Sequence, residues 1–183
     1  MTKKIMFSDK YCLTKAVLDG TKTMTRRLLK DGTPLGNWEE TAKHLPYKVG
    51  EVVAIAQSYK EVYPNADFEM VGDGFMTESA GWTNKMFVRA DLLPHHIRIT
   101  DVKVELLQDI SEKDCLREGI RYYHSSDKRC SNYSGYGYHI PKNGIHLFDT
   151  PYEAFANLFE RISSRGTWGS NPWVVAYEFK LID

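Results

Sequence analysis

Gly20-Thr21-Lys22-Thr23-Met24-Thr25-Arg26-Arg27 changes the character of the chain within eight residues. Before it, Asp9 to Leu18 has helical spacing, with Tyr11, Thr14 or Lys15, and Leu18 recurring and Gly20 as a stop. After it, Lys22 to Leu29 reads as an extended segment. A glycine that ends a helix and releases a strand lets the backbone approach a ligand, and Lys22, three threonines and two arginines place cations and hydroxyls at that turn. In a flat strand Lys22 and Thr25 would face opposite ways, so sharing a pocket requires a turn or bulge after Gly20. The plain alternative is an exposed basic edge strand.

Working outward, Lys4 to Ser8 suits a short strand, and Lys30 to Asn37 is a loop around Gly32, Pro34 and Gly36. Val49 to Tyr59 contains the apolar strand VVAIAQSY, while 60–84 reads as an irregular excursion or an extra hairpin. Ile97 and Ile99 are apolar at odd positions but Val102, Val104 and Leu106 at even ones. A one-residue shift swaps strand faces, which predicts a bulge or bend near Thr100-Asp101. Ser111 to Asp114 is a capping pattern, Ile110 and Cys115 form a staple, and Gly119 ends a two-turn helix. Residues 121–150, rich in Tyr, Ser, Gly and His, have loop composition. Tyr152, Phe155, Leu158, Phe159 and Ile162 make a helical stripe, and Trp173 to Leu181 alternates as a last strand, which places Trp173, with Trp168, in the core. The expectation is one α+β domain over 1–183: a small bent β-barrel with flanking helices and two long insertions, at about 57–95 and 121–150.

The composition is that of a globular protein: 183 residues, 42% hydrophobic, with 24 Lys+Arg against 24 Asp+Glu. No apolar run approaches a bilayer span and the first residues do not resemble a signal peptide, so a cytoplasmic, membrane-free protein is expected. Cys12, Cys115 and Cys130 have no C-x-x-C spacing and are expected as free thiols. The six histidines show no i,i+4 or H-x-H pairing, so no metal is expected. P-loop, dinucleotide and nucleophile-elbow motifs are absent, and no cofactor is implied. Residues 1–30 hold eight cations against Asp9 and Asp19, leaving +6 there and −6 in the rest. That asymmetry suggests a local anion-binding surface rather than bulk attraction to nucleic acid.

The octet resembles the G-x-K-x-x-T-x-R pattern of ASCH domains, which are similar in fold to PUA domains; Gly20, Lys22, Thr25 and Arg27 fall on its defining positions. Gly50 to Val53 resembles the family's G-D-x-[LV] strand, Leu106 to Gly119 its strand-to-short-helix element, and Trp168 to Val174 the closing motif of larger ASCH-like proteins of bacteria and prophages. The resemblance implies a PUA-like barrel whose cleft takes a nucleoside or an RNA base. Some small members are amidohydrolases that deacetylate N4-acetylcytidine with a lysine, a threonine and a glutamate, which by motif position are Lys22, Thr25 and Glu118. A threonine hydroxyl needs an adjacent base, and a desolvated lysine can serve. Gly20, Thr23, Arg26 and Arg27 are the expected ligand contacts, the arginines for a phosphate or ribose. The competing expectations are an RNA-binding module in which Trp82, Tyr122, Tyr123, Tyr136 or Tyr138 stacks a base, an amidohydrolase of a modified nucleoside, a ribonuclease, and a self-associating structural protein.

Overall fold

In the computed structural model, residues 2–127 and 133–183 are described. Cys130 lies outside them. The chain begins with β1 (Lys3–Ile5), a 3-10 turn at Asp9–Tyr11 and α1 (Leu13–Leu18). The expected single helix is thus broken at Cys12, which takes a left-handed φ of 55°. Gly20, at φ 72°, ends α1 and hands the chain to β2 (Met24–Leu28). Next come α2 (Trp38–His44), β3 (Val52–Ile55), α3 (Tyr59–Val62) and a minimal hairpin of β4 (Met70–Val71) and β5 (Gly74–Phe75). The remainder is β6 (His96–Leu106), α4 (Glu112–Arg117), β7 (Arg121–Tyr123), β8 (Gly135–Ile140), β9 (Gly144–Phe148), α5 (Pro151–Ile162), α6 (Thr167–Ser170) and β10 (Trp173–Leu181).

Five strands form one sheet in the order β1-β3-β6-β10-β2; β1 and β3 are parallel and the other pairs antiparallel. The sheet is open. No ladder joins its two edges, β1 and β2, so the expected barrel does not close. The physical reason lies in the seam: α5 sends Phe155 and Phe159 toward it, and a cavity occupies the space a closing ladder would need. The expected bulge is present. Asp101 pairs with Glu178 and Ile99 with Phe179, leaving Thr100 as the extra residue that turns β6 from one apolar phase to the other.

The 121–150 segment is not the expected loop. Its described residues build a three-stranded antiparallel sheet, β7-β8-β9. Gly135 and Gly137 are there for close approach rather than for turning: a Cβ on Gly135 would lie 2.8 Å from the Phe148 carbonyl, and one on Gly137 would run into that of His146. Tyr138 and Ile140 of β8 join the main core, and the Tyr138 hydroxyl donates to Asn157 Oδ1 of α5 at 2.7 Å. Residues of the 57–95 excursion form a separate small cluster around Tyr59, Met76 and Val88. Lys4 pins that excursion to β1 by donating to the carbonyls of Met86 and Val88 at 2.8 and 2.6 Å.

α4 and α5 are capped as their sequences require. Ser111 Oγ accepts from the Asp114 amide, and Thr150 and Glu153 form a reciprocal capping box. Phe155, Leu158 and Phe159 bury the inner stripe of α5, whereas Ile162 is exposed at its end. β10 is covered on both faces, from Val174 to Tyr177, and Trp173 at its start is 44% exposed, contrary to the core position that alternation suggested. Trp168 does pack against the core, edge-on to Tyr152.

Candidate functional site

The turn after Gly20 removes the strand-face problem. Lys22 lies before β2 begins, its amide bonded to the Ala16 carbonyl, so its side chain need not follow the strand's alternation. Lys22 and Thr25 both line a cavity of about 300 Å³ between the end of β1, β2 and α5. Phe7, Leu13, Phe155, Leu158 and Phe159 supply apolar walls.

Lys22 is 2% exposed. Its Nζ donates to both the backbone carbonyl and Oε2 of Glu118, each at 2.7 Å. Gly119, at φ 107°, follows Glu118 and packs against the Lys22 methylenes; a Cβ there would lie 3.7 Å from Lys22 Cδ and 3.3 Å from Leu13. Burial lowers the Lys22 pKa, the Glu118 carboxylate opposes that shift, and Arg27 and Arg26 add to it. Thr25 is also buried, and its hydroxyl has no hydrogen-bond partner among the described residues.

The Arg26 side chain has no exposed surface. Nε donates to Glu105 Oε1 at 2.8 Å, Nη2 to Asp114 Oδ2 at 2.9 Å, and Nη1 to Glu118 Oε1 at 3.2 Å. Glu118 is therefore held between Lys22 and Arg26, one carboxylate oxygen to each. Lys103 extends the network, 3.1 Å from Glu105 and 3.3 Å from Asp114. Burial pushes the Asp114 carboxyl up, but hydrogen bonds from Arg26 and Lys103 outweigh it and leave the pKa below 3.8.

Of the expected site residues, Lys22, Thr25, Arg26, Arg27 and Glu118 line the cavity. Gly20 and Thr23 do not. Gly20 caps α1, and Thr23 Oγ1 accepts from Arg117 Nε at 3.3 Å. Arg27 reaches the Met6 carbonyl across the open seam and lies 5.9 Å from the Phe7 ring centroid. Glu105 and Asp114 were missed as partners of this site. Asp114 was visible only as a cap position, and Glu105 only as a polar residue on β6.

The basic N-terminal segment is largely spent internally. Lys3 pairs with Glu51 at 2.8 Å, Lys15 with Asp19 at 3.0 Å, and Lys22 and Arg26 are buried among carboxylates. Lys4 and Arg27 donate to carbonyls, so Lys10 and Lys30 are the cations of that segment with no such commitment among the described residues. Nor do the expected stacking aromatics reach the cavity: Tyr138 is core, Tyr122 packs edge-on to Tyr136 at a 5.0 Å centroid distance, and Trp82 packs on the small cluster. Among the described residues no three His, Cys, Asp or Glu converge on a metal position, and no helix is long and apolar enough to cross a membrane.

No family model and no curated protein matches the sequence. Among solved structures, the chain is similar to the ASCH domain from Lactobacillus crispatus JV V101, at 16% identity and a TM-score of 0.43, over 98% of this chain and 78% of that one.

Proposed function

We propose that the seam cavity binds one nucleoside-sized ligand, a free nucleoside or a splayed-out RNA base, with Lys22, Thr25 and Glu118 as its polar contacts. The observation that carries this is their convergence on a cavity of about 300 Å³ that Phe7, Leu13, Phe155, Leu158 and Phe159 also line. That volume is at the lower end for ligand sites and suits a single base with its sugar rather than a strand. A protonated Lys22 spends two N–H bonds on Glu118 and keeps a third for a ligand carbonyl. Thr25 offers both a donor and an acceptor, and the phenylalanine walls suit a flat ring. The likeness of the Gly20–Arg27 octet to the ASCH pattern supports the same reading, with 1–183 as one ASCH-type unit acting in the cytoplasm.

A hydrolytic reading of the same residues is favoured by one further observation, the unpartnered Thr25 hydroxyl beside a lysine whose proton affinity burial lowers. In that chemistry neutral Lys22 takes the Thr25 proton and Thr25 Oγ attacks the acyl carbon of an N-acylated base. The C–N bond breaks, Lys22 returns the proton to the leaving amine, and water then cleaves the acyl-threonine ester. Glu118 orients Lys22 throughout.

Incubation with N4-acetylcytidine and other acylated nucleosides, followed by chromatography, tests both readings. Turnover that disappears in Lys22→Ala and Glu118→Ala establishes hydrolysis. Retention of intact nucleoside by the wild type, lost in Lys22→Ala, establishes binding without reaction. Neither turnover nor retention of any nucleoside refutes the assignment.

A further inference from the structure

A second group of reactive side chains lines a cavity other than the one at the seam. Cys12 Sγ is 3.2 Å from His139 Nδ1 on β8, within hydrogen-bonding reach for sulfur. The two residues are far apart in sequence and meet at the edge of a separate cavity of about 200 Å³. The hand-over from the 3-10 turn to α1 holds Cys12 in a left-handed conformation, so the thiol is fixed by backbone geometry rather than carried on a mobile tail. Lys15 and Arg121 line that cavity together with Asp19, to which both are ion-paired, and Asp9 also faces the thiol, so the charges there balance.

The groups facing this thiol come from every surrounding element: Asp9 from the turn, Lys15 and Asp19 from α1, Arg121 and Tyr123 from β7, and Tyr138 beside His139 on β8. Burial raises the Cys12 pKa, Lys15 and Arg121 lower it and Asp9 raises it, for a net rise. A thiol in that state reacts only when a base takes its proton, and an imidazole at 3.2 Å is placed to do so. Cys115 offers the contrast. It is fully buried beside the ion network, burial pushes its pKa up to about 12, and no histidine hydrogen-bonds to it among the described residues.

We propose that Cys12 and His139 form a second reactive centre, a thiol–imidazole pair that exchanges with small disulfides. His139 Nδ1 takes the thiol proton and the Cys12 sulfur attacks one sulfur of the incoming disulfide. The disulfide bond breaks, and the departing thiolate takes the proton from His139. The products are a mixed disulfide on Cys12 and one free thiol, with the incoming disulfide as the oxidant.

The test is brief exposure to glutathione disulfide, with sites and rates read by peptide mass mapping. Cys12 is expected to be modified well before Cys115. His139→Gln should slow Cys12 modification about tenfold or more at pH 7, with the deficit closing at alkaline pH where solvent generates the thiolate. The proposal is overturned if Cys12 stays unmodified or if His139→Gln matches the wild type at every pH.

Discussion

Lys22 must behave in opposite ways under the two chemistries open to the seam cavity. As a ligand-holding ammonium it loses its donor as pH rises through its lowered pKa, so affinity falls at alkaline pH. As the base for Thr25 it is competent only when neutral, so turnover climbs over the same interval. A pH series of binding and turnover on one preparation separates the two by sign alone. Arg26 carries a different expectation. Its guanidinium is the partner that Glu105, Asp114 and Glu118 share, so Arg26→Met leaves them to Lys22, Lys103 and Arg117 alone and should cost about 3 kcal/mol or more, read as a lowered denaturant midpoint. Lys22→Met leaves Glu118 paired to Arg26 and should cost less, which keeps that variant usable for functional tests. The Lys22 role was read in the sequence through the motif resemblance, whereas the Arg26 role was not. Arg26 reads as a free cation until the carboxylates 79 to 92 positions away fold onto it.

At the scale of elements, legibility followed how local the cause was. The bulge at Thr100 was visible because a change of apolar phase is written in adjacent residues. So was the α4 cap, whose partners are three residues apart. The β7-β8-β9 sheet was missed because its glycines answer to the carbonyls of β9, a pairing that local composition does not reveal. Gly137→Ala should therefore destabilise by about 2 kcal/mol or more, as a Cβ has no room before the His146 carbonyl. Thermal unfolding of that variant checks it. An unchanged midpoint would mean that β8 and β9 do not meet in this register.

For the whole molecule, the seam where the sheet fails to close is both the fold's departure from the expected barrel and the place where the polar cluster meets apolar walls. The network behind it should show in acid stability. Asp114 has a folded pKa below 3.8, so below that value the unfolded chain binds more protons than the folded one. Its contribution is present above pH 3.8 and disappears as pH falls through the folded value. Asp114→Asn should lack this component, giving a flatter loss of stability in acid. Charge counting foresaw a basic N-terminal surface, but three-dimensional pairing consumed most of it, which favours one small ligand over a phosphate-tracking groove.

The most direct test of the central claim is calorimetric titration of N4-acetylcytidine and cytidine into the wild type and Lys22→Met at pH 7. The account predicts saturable binding of at least one of them at one site per chain, weakened about tenfold or more by the substitution. Equal affinity in the two proteins, or no binding by the wild type, would contradict it.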